Sequence, residues 1–178
     1  MLFCLYLFLN KIFDNKWILT VFTTFFIVNI AANLCYIFIN PKEKVKTPIG
    51  SIWLNKHDAK LFKDVNEYIS KNIDKKESIL VLPEGQMFNL IHKKEYNYYN
   101  STFTPLDFET FKEETLTKNI ENQKPDNIIL FPRNTSDYGA NTICINYGID
   151  FCRFIMDNYT ETQSVGEYYK AYIYKRKR

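Results

Sequence analysis

Glu84 stands between Pro83 and Gly85 in the stretch SILVLPEGQMFNLIH, residues 78–92. A carboxylate in that place has more than one use. It serves as a general base where a proton must leave, or it favours the positive end of a helix dipole. Its flanks narrow the setting. Residues 78–82 are β-branched and apolar, as in a buried strand. Residues 86–92 read as the first turns of an amphipathic helix, and Pro-Glu-Gly is a good turn by itself. In α/β sheets, ligands sit at such strand-to-helix turns, beyond the carboxyl ends of the strands.

A second segment has the same form. PDNIILFP, residues 125–132, reads as another buried strand, and RNTSDYGA follows it at 133–140. If the two strands are neighbours, Glu84, Arg133, Asn134, Asp137 and Tyr138 converge on one sheet edge. That polar cluster has room for a sugar or a phosphate. The plainer alternative is that Asn134 and Asp137 are capping and turn residues. Residue chemistry leaves both readings open.

Other chemistries lack their residues. His57 and His92 are lone histidines suited to surface or boundary positions. Cys4, Cys35, Cys144 and Cys152 have no metal-ligand spacing, so no metal and no cofactor are expected. Cys144 and Cys152 fall on an expected helix, roughly 12 Å apart along its axis, and a continuous helix forbids a bridge between them. A nucleophile elbow and a Cys-His pair are missing. The net charge of +3 comes without a basic stripe interleaved with aromatics, which argues against nucleic acid as a partner. The run Lys175-Arg176-Lys177-Arg178 reads as a solvated end.

The elements that must hold these residues follow from periodicity. Residues 55–73 place Ala59, Phe62, Val65, Ile69 and Ile73 on one helical face, with Asn55 or Asp58 as cap. Helices are also expected over 106–122 and 146–159, and a final, edge-like strand over 168–174. Strands alternating with helices imply a small, three-layer-like α/β domain with a mostly parallel sheet.

The front of the chain differs. Residues 17–39 contain no charged side chain. Residues 18–39 would rise roughly 33 Å as a helix, enough to span a bilayer core. Residues 1–13 are apolar but short, like the tail of a preceding membrane helix, with Lys11, Asp14 and Lys16 in the turn between. The order of charged and apolar residues is wrong for a signal peptide. Lysines on both flanks leave the orientation undecided. The expected organisation is therefore a membrane segment at 1–40 (a spanning helix at 18–39, or a helix hairpin), a linker at 41–51 and a soluble domain at 52–178.

Several motifs together resemble one family. ESILVLPEGQMFNLI, KPDNIILFPRNTSDYGA, INYGIDFCRFIMDNY and YKAYIYKRKR are similar to the C-terminal region of multi-spanning, polyprenyl-phosphate-sugar-dependent membrane glycosyltransferases, the dolichyl-phosphate-mannose protein mannosyltransferase-like group. The matching residues are Pro83, Glu84, Gly85, Asn89, Pro125, Asp126, the run Asn134-Thr135-Ser136-Asp137-Tyr138-Gly139, Tyr147, Gly148, Asn158 and Tyr159. The likeness covers about residues 47–178. Asn146 departs from it, standing where the family has an acidic residue. The family's catalytic acidic residue, in an early loop, has no counterpart here.

The resemblance implies the terminal part of such a transferase, integral to the cell inner or plasma membrane, with its α/β domain extracytoplasmic. It implies membrane lipid, a lipid-linked sugar donor and a separate upstream portion as partners. Glu84, Asn134, Asp137 and Tyr138 would then bind substrate, and no residue of this chain would be catalytic. The alternative is a membrane-tethered interaction or structural module without catalysis.

Overall fold

The computed structural model describes residues 16–39, 41–94, 102–132, 134, 137, 139 and 142–177. The chain divides into two units, residues 1–42 and 43–178.

In the first unit, helix α1 spans Lys16–Ile39. Its apolar side chains have no preferred side: Trp17, Val21, Phe25, Val28 and Tyr36 are all exposed. Asn29 Nδ2 donates to the Phe25 carbonyl at 2.9 Å, and Asn33 Nδ2 to that of Asn29 at 2.8 Å. The membrane expectation is corrected at this point. Among the described residues, no helix is long and apolar enough to cross a membrane. That finding overturns the expected spanning helix and the membrane location that rested on it. The apolar run of α1 is diluted by Thr20, Thr23, Thr24, Asn29 and Asn33. The expected preceding helix at 1–13, and its turn through Lys11 and Asp14, lie outside the described residues.

The second unit begins where a linker was expected. Lys42–Thr47 (β1) and Gly50–Asn55 (β2) pair as an antiparallel hairpin. Thr47 Oγ1 donates to the Gly50 carbonyl at 3.0 Å across its turn. Helix α2, Lys56–Asn72, follows directly. The Asn55 side chain accepts from the Asp58 N–H at 2.9 Å and caps it. Ala59, Phe62, Val65 and Ile69 are buried, as their spacing requires.

The sheet contains β3 (Ile79–Leu82), β4 (Asn127–Leu130), β5 (Tyr159–Val165) and β6 (Ala171–Arg176), in the order β3-β4-β6-β5. β3 and β4 are parallel, with Leu82 opposite Leu130. β6 runs antiparallel to both β4 and β5. The sheet is thus mixed, which corrects the mostly parallel expectation. The reason is local. β5 follows its helix without a crossover and turns straight back at Gly166 (φ +101°) into β6, so the last two strands form a hairpin.

Helices α3 (Gln86–His92), α4 (Pro105–Phe111), α5 (Glu113–Gln123) and α6 (Ile149–Asn158) complete the unit. Side-chain alternation along β3 and β4 divides the core. Leu80, Leu82, Ile128 and Leu130 pack with Phe103, Phe108, Leu116, Ile120, Phe151 and Ile155. Ile79, Val81 and Ile129 pack with Val45, Phe62, Val65, Ile69 and Phe88. The first group belongs to α4–α6, the second to β1, α2 and α3.

Two expected helices change. The 106–122 helix is broken at Lys112, whose φ is +66°. The 146–159 helix starts only at Ile149, because Gly148 takes a left-handed conformation. That late start frees Cys144 from the helix. Cys144 and Cys152 form a disulfide with their Cα atoms 5.4 Å apart, correcting the expectation that they could not bridge. Gly148 has no side chain to cap α6. Glu113 supplies the acceptor instead, taking the Phe151 N–H on its Oε1 at 2.6 Å.

Candidate functional site

The parallel pairing of β3 with β4 decides where the two candidate loops leave the sheet. The Phe131 N–H donates to the Leu82 carbonyl at 2.9 Å, extending the ladder one residue past the strands. Pro83-Glu84-Gly85 and the segment after Phe131 therefore start side by side at one end of the sheet.

Glu84 is half-buried, and its backbone bridges Thr102. The Pro83 carbonyl accepts the Phe103 N–H at 2.8 Å. These contacts cover part of the outer edge of β3, which would otherwise present open backbone groups. Gly85 is required by close packing. A Cβ on it would lie 2.0 Å from Val81 Cγ1 and 2.4 Å from Val81 Cβ. The chain can fold back over β3 only without a side chain there, and that return sets the position of Glu84.

Asn134 and Asp137 are exposed. Tyr138 and Arg133 lie outside the described residues. The structure thus starts the Glu84 turn and the segment bearing Asn134 and Asp137 from neighbouring strand ends. Phe131, half-buried at the root of that segment, stacks on Phe88 with ring centroids 5.8 Å apart. Carboxylates accept and amides both donate and accept hydrogen bonds, so this set matches the hydroxyls of a sugar better than it matches a metal. Among the described residues, no group of three or more His, Cys, Asp or Glu could hold a metal ion.

Asn89, one of the residues that carried the resemblance, has a structural task. It is 2% exposed, and its Nδ2 donates to the Ile79 carbonyl at 2.8 Å. Strand alternation turns that carbonyl to the outer side of β3, so Asn89 caps the sheet edge. His92 is also tied into the fold, its Nε2 lying 2.8 Å from Asn66 Oδ1. Burial, with Lys94 nearby, lowers its pKa.

The opposite end of the sheet is a closed charge network. Asp126 accepts from the Ser78 N–H and Oγ at 2.9 Å each, and from Arg176 Nη2 at 2.8 Å. Burial pushes its carboxyl pKa up, but the Ser78 bonds and the Arg176 and Lys175 charges outweigh that and hold it below its ordinary value. Glu77 pairs with Lys175 at 3.0 Å. Lys94 is buried and donates to the carbonyls of Asp74 and Glu77.

A further cleft was not foreseen from the sequence. Glu43, Lys56, His57, Lys60, Lys63 and Tyr168 line a cavity of about 230 Å³. Its signal was the spacing of Lys56, Lys60 and Lys63, which puts three cations along one side of α2, but a charged helix side reads first as solvated. Tyr168 falls in the reversal between β5 and β6 rather than in a strand, where sequence had put it. No protein-family model matches this chain, and comparison with curated proteins and with solved structures gives no match either.

Proposed function

We propose that residues 43–178 act as a non-catalytic sugar-binding domain in a glycosyl-transfer system, holding a sugar carried on a polyprenyl phosphate. The observation that supports this reading is the parallel Leu82–Leu130 register, which starts the Glu84 turn and the Asn134–Asp137 segment from adjacent strand ends. In this reading the Glu84 and Asp137 carboxylates accept hydrogen bonds from sugar hydroxyls, and the Asn134 amide donates to a ring or hydroxyl oxygen. The chemistry of transfer belongs to a carboxylate on another polypeptide segment.

The test is saturation-transfer NMR of the full chain with a water-soluble, short-chain prenyl phosphosugar. Glu84→Ala and Asp137→Ala should each weaken binding about tenfold, the scale of one hydrogen bond to a charged group, with an unchanged melting temperature. The chain alone should release no sugar from the donor. Unaltered binding in both variants would refute the site, and turnover by the chain alone would refute its non-catalytic character.

A further inference from the structure

We propose that the cleft between α2 and the β5–β6 reversal is a binding site for a small phosphate monoester that carries a ring. The cleft belongs to the same end of the sheet as Glu84. β6 begins there, since Tyr172 pairs with Leu130. The reversal before β6 meets the start of α2 through the Lys60–Glu167 ion pair and the His57–Tyr168 ring contact at 4.3 Å. Unlike the sugar-transfer reading, the proposal needs nothing from Glu84, Asn134 or Asp137.

Size, charge and shape converge on this ligand class. A volume of about 230 Å³ is smaller than the roughly 300–1,000 Å³ of pockets for drug-sized ligands. Its occupant is therefore a compact group. Lys56, Lys60 and Lys63 share the cleft with Glu43, while Glu167 and Asp64 both act on Lys60, so Lys56 beside the His57 imidazole is the cation whose charge is least offset.

The two pairs are no obstacle. Lys60 and Glu167 are 49% and 59% exposed, and Lys63 and Glu43 are 50% and 43% exposed. Ion pairs that wet contribute little, so phosphate oxygens can take over the lysines. Lys56 makes no ion pair among the described residues. Tyr168 and Tyr169 stand 66% and 57% exposed at the rim, offering ring faces to an apolar-sided ring.

The reversal that carries them is fixed in place. A Cβ on Gly166 would lie 2.0 Å from the Tyr169 carbonyl oxygen and 2.6 Å from Leu61 Cδ1 of α2. The aromatic wall is therefore built against the cationic one.

Phosphate monoesters occur free and as lipid headgroups, and two arms separate these sources. In the first, ³¹P NMR follows titration of the full chain with glucose 6-phosphate and with inorganic phosphate. In the second, the chain is sedimented with phosphatidylcholine vesicles with and without phosphatidylinositol 4-phosphate, whose headgroup joins a ring to a phosphate monoester. Saturable, salt-sensitive binding is expected in at least one arm, and the arm that shows it identifies the source. Lys56→Gln and Lys63→Gln should each weaken it about tenfold. Lys118→Gln, a lysine elsewhere on the surface, should leave it unchanged. Tyr168→Ala should erase the preference for glucose 6-phosphate over inorganic phosphate. Absence of saturable binding in both arms overturns the proposal. So does an equal loss in Lys118→Gln, which would mean attraction to net charge alone.

Discussion

Reducing the Cys144–Cys152 disulfide should cost the domain a calculable part of its stability. The bridge spans eight residues of sequence. Cross-linking a loop of that size removes about 2.5 kcal/mol of chain entropy from the unfolded state. For a unit of this length that corresponds to roughly 10 °C in melting temperature. The native side of the balance changes little. Cys152 is 3% exposed among Phe103, Phe151 and Ile155, where a thiol behaves as a small apolar group. The assay is thermal unfolding of the full chain, with and without a thiol reductant, in a Cys4→Ser/Cys35→Ser background, which leaves only the two bridged cysteines. Mass spectrometry verifies the bond before reduction and its loss after. The Cys144→Ser/Cys152→Ser variant should melt like the reduced chain and ignore the reductant. Equal melting of verified oxidised and reduced chains would refute the entropy argument. Failure to detect the bond in the oxidised chain would refute the placement of the helix start that permits it.

Three further outcomes follow from the packing. Gly85→Ala forces a Cβ to within 2.4 Å of Val81 Cβ; overpacking of this kind costs about 1–3 kcal/mol, readable as a lower urea midpoint. Glu113→Ala strips the acceptor from the Phe151 N–H and should cost about 1 kcal/mol, with Glu113→Gln retaining most of it. Asp126 titrates below its ordinary 3.8 when folded. A depressed carboxyl stabilises fully above its unfolded pKa and loses that contribution as pH falls through the folded one. Asp126→Asn should therefore be less stable than the wild type at pH 7, and the gap should close as the pH is taken below 3.8. A gap that stays constant would assign the loss to altered hydrogen-bond geometry instead of charge.

The legible parts of the fold are those in which one stretch of sequence decides the outcome. α2 shows its apolar spacing and its Asn55 cap. β3 and β4 are apolar runs bounded by turn residues and buried throughout. What stayed hidden depends on partners distant in sequence or on a single backbone angle. β5, with the sequence YTETQSV, is an exposed edge held by its pairing to β6, so it has no apolar alternation to read. The β1–β2 hairpin buries Val45 against the face covered by α2, yet its lysines, Pro48 and the preceding Pro41 look like a linker. Lys112 breaks one expected helix and Gly148 delays the start of another, each with one positive φ, and the second frees Cys144 for the disulfide. For the candidate site, the adjacency of β3 and β4 could be stated only as a condition from sequence. The cleft beside α2 needed the β5–β6 reversal, which no local pattern announced.

The two ends of the sheet differ in what their polar groups are used for, and that contrast bears on function more than any one residue does. At the amino ends of β3 and β4, Ser78, Asp126, Arg176, Glu77, Lys175 and Lys94 bond to one another or to nearby carbonyls. These groups tie three strands together at the end where β3 and β4 enter the sheet and β6 leaves it. At the carboxyl ends, packing is carried by backbone bonds, by the Phe88–Phe131 stack and by glycines that admit no side chain. Asp137, Asn134, Lys56, Tyr168 and Tyr169 remain at the surface there. An exposed polar side chain keeps hydrogen-bonding capacity for something outside the fold. In an α/β sheet that is also the end where topology opens a crevice. The same end thus offers carboxylates on one side and ammonium groups on the other, a pairing suited to a ligand with hydroxyls and an anionic group together.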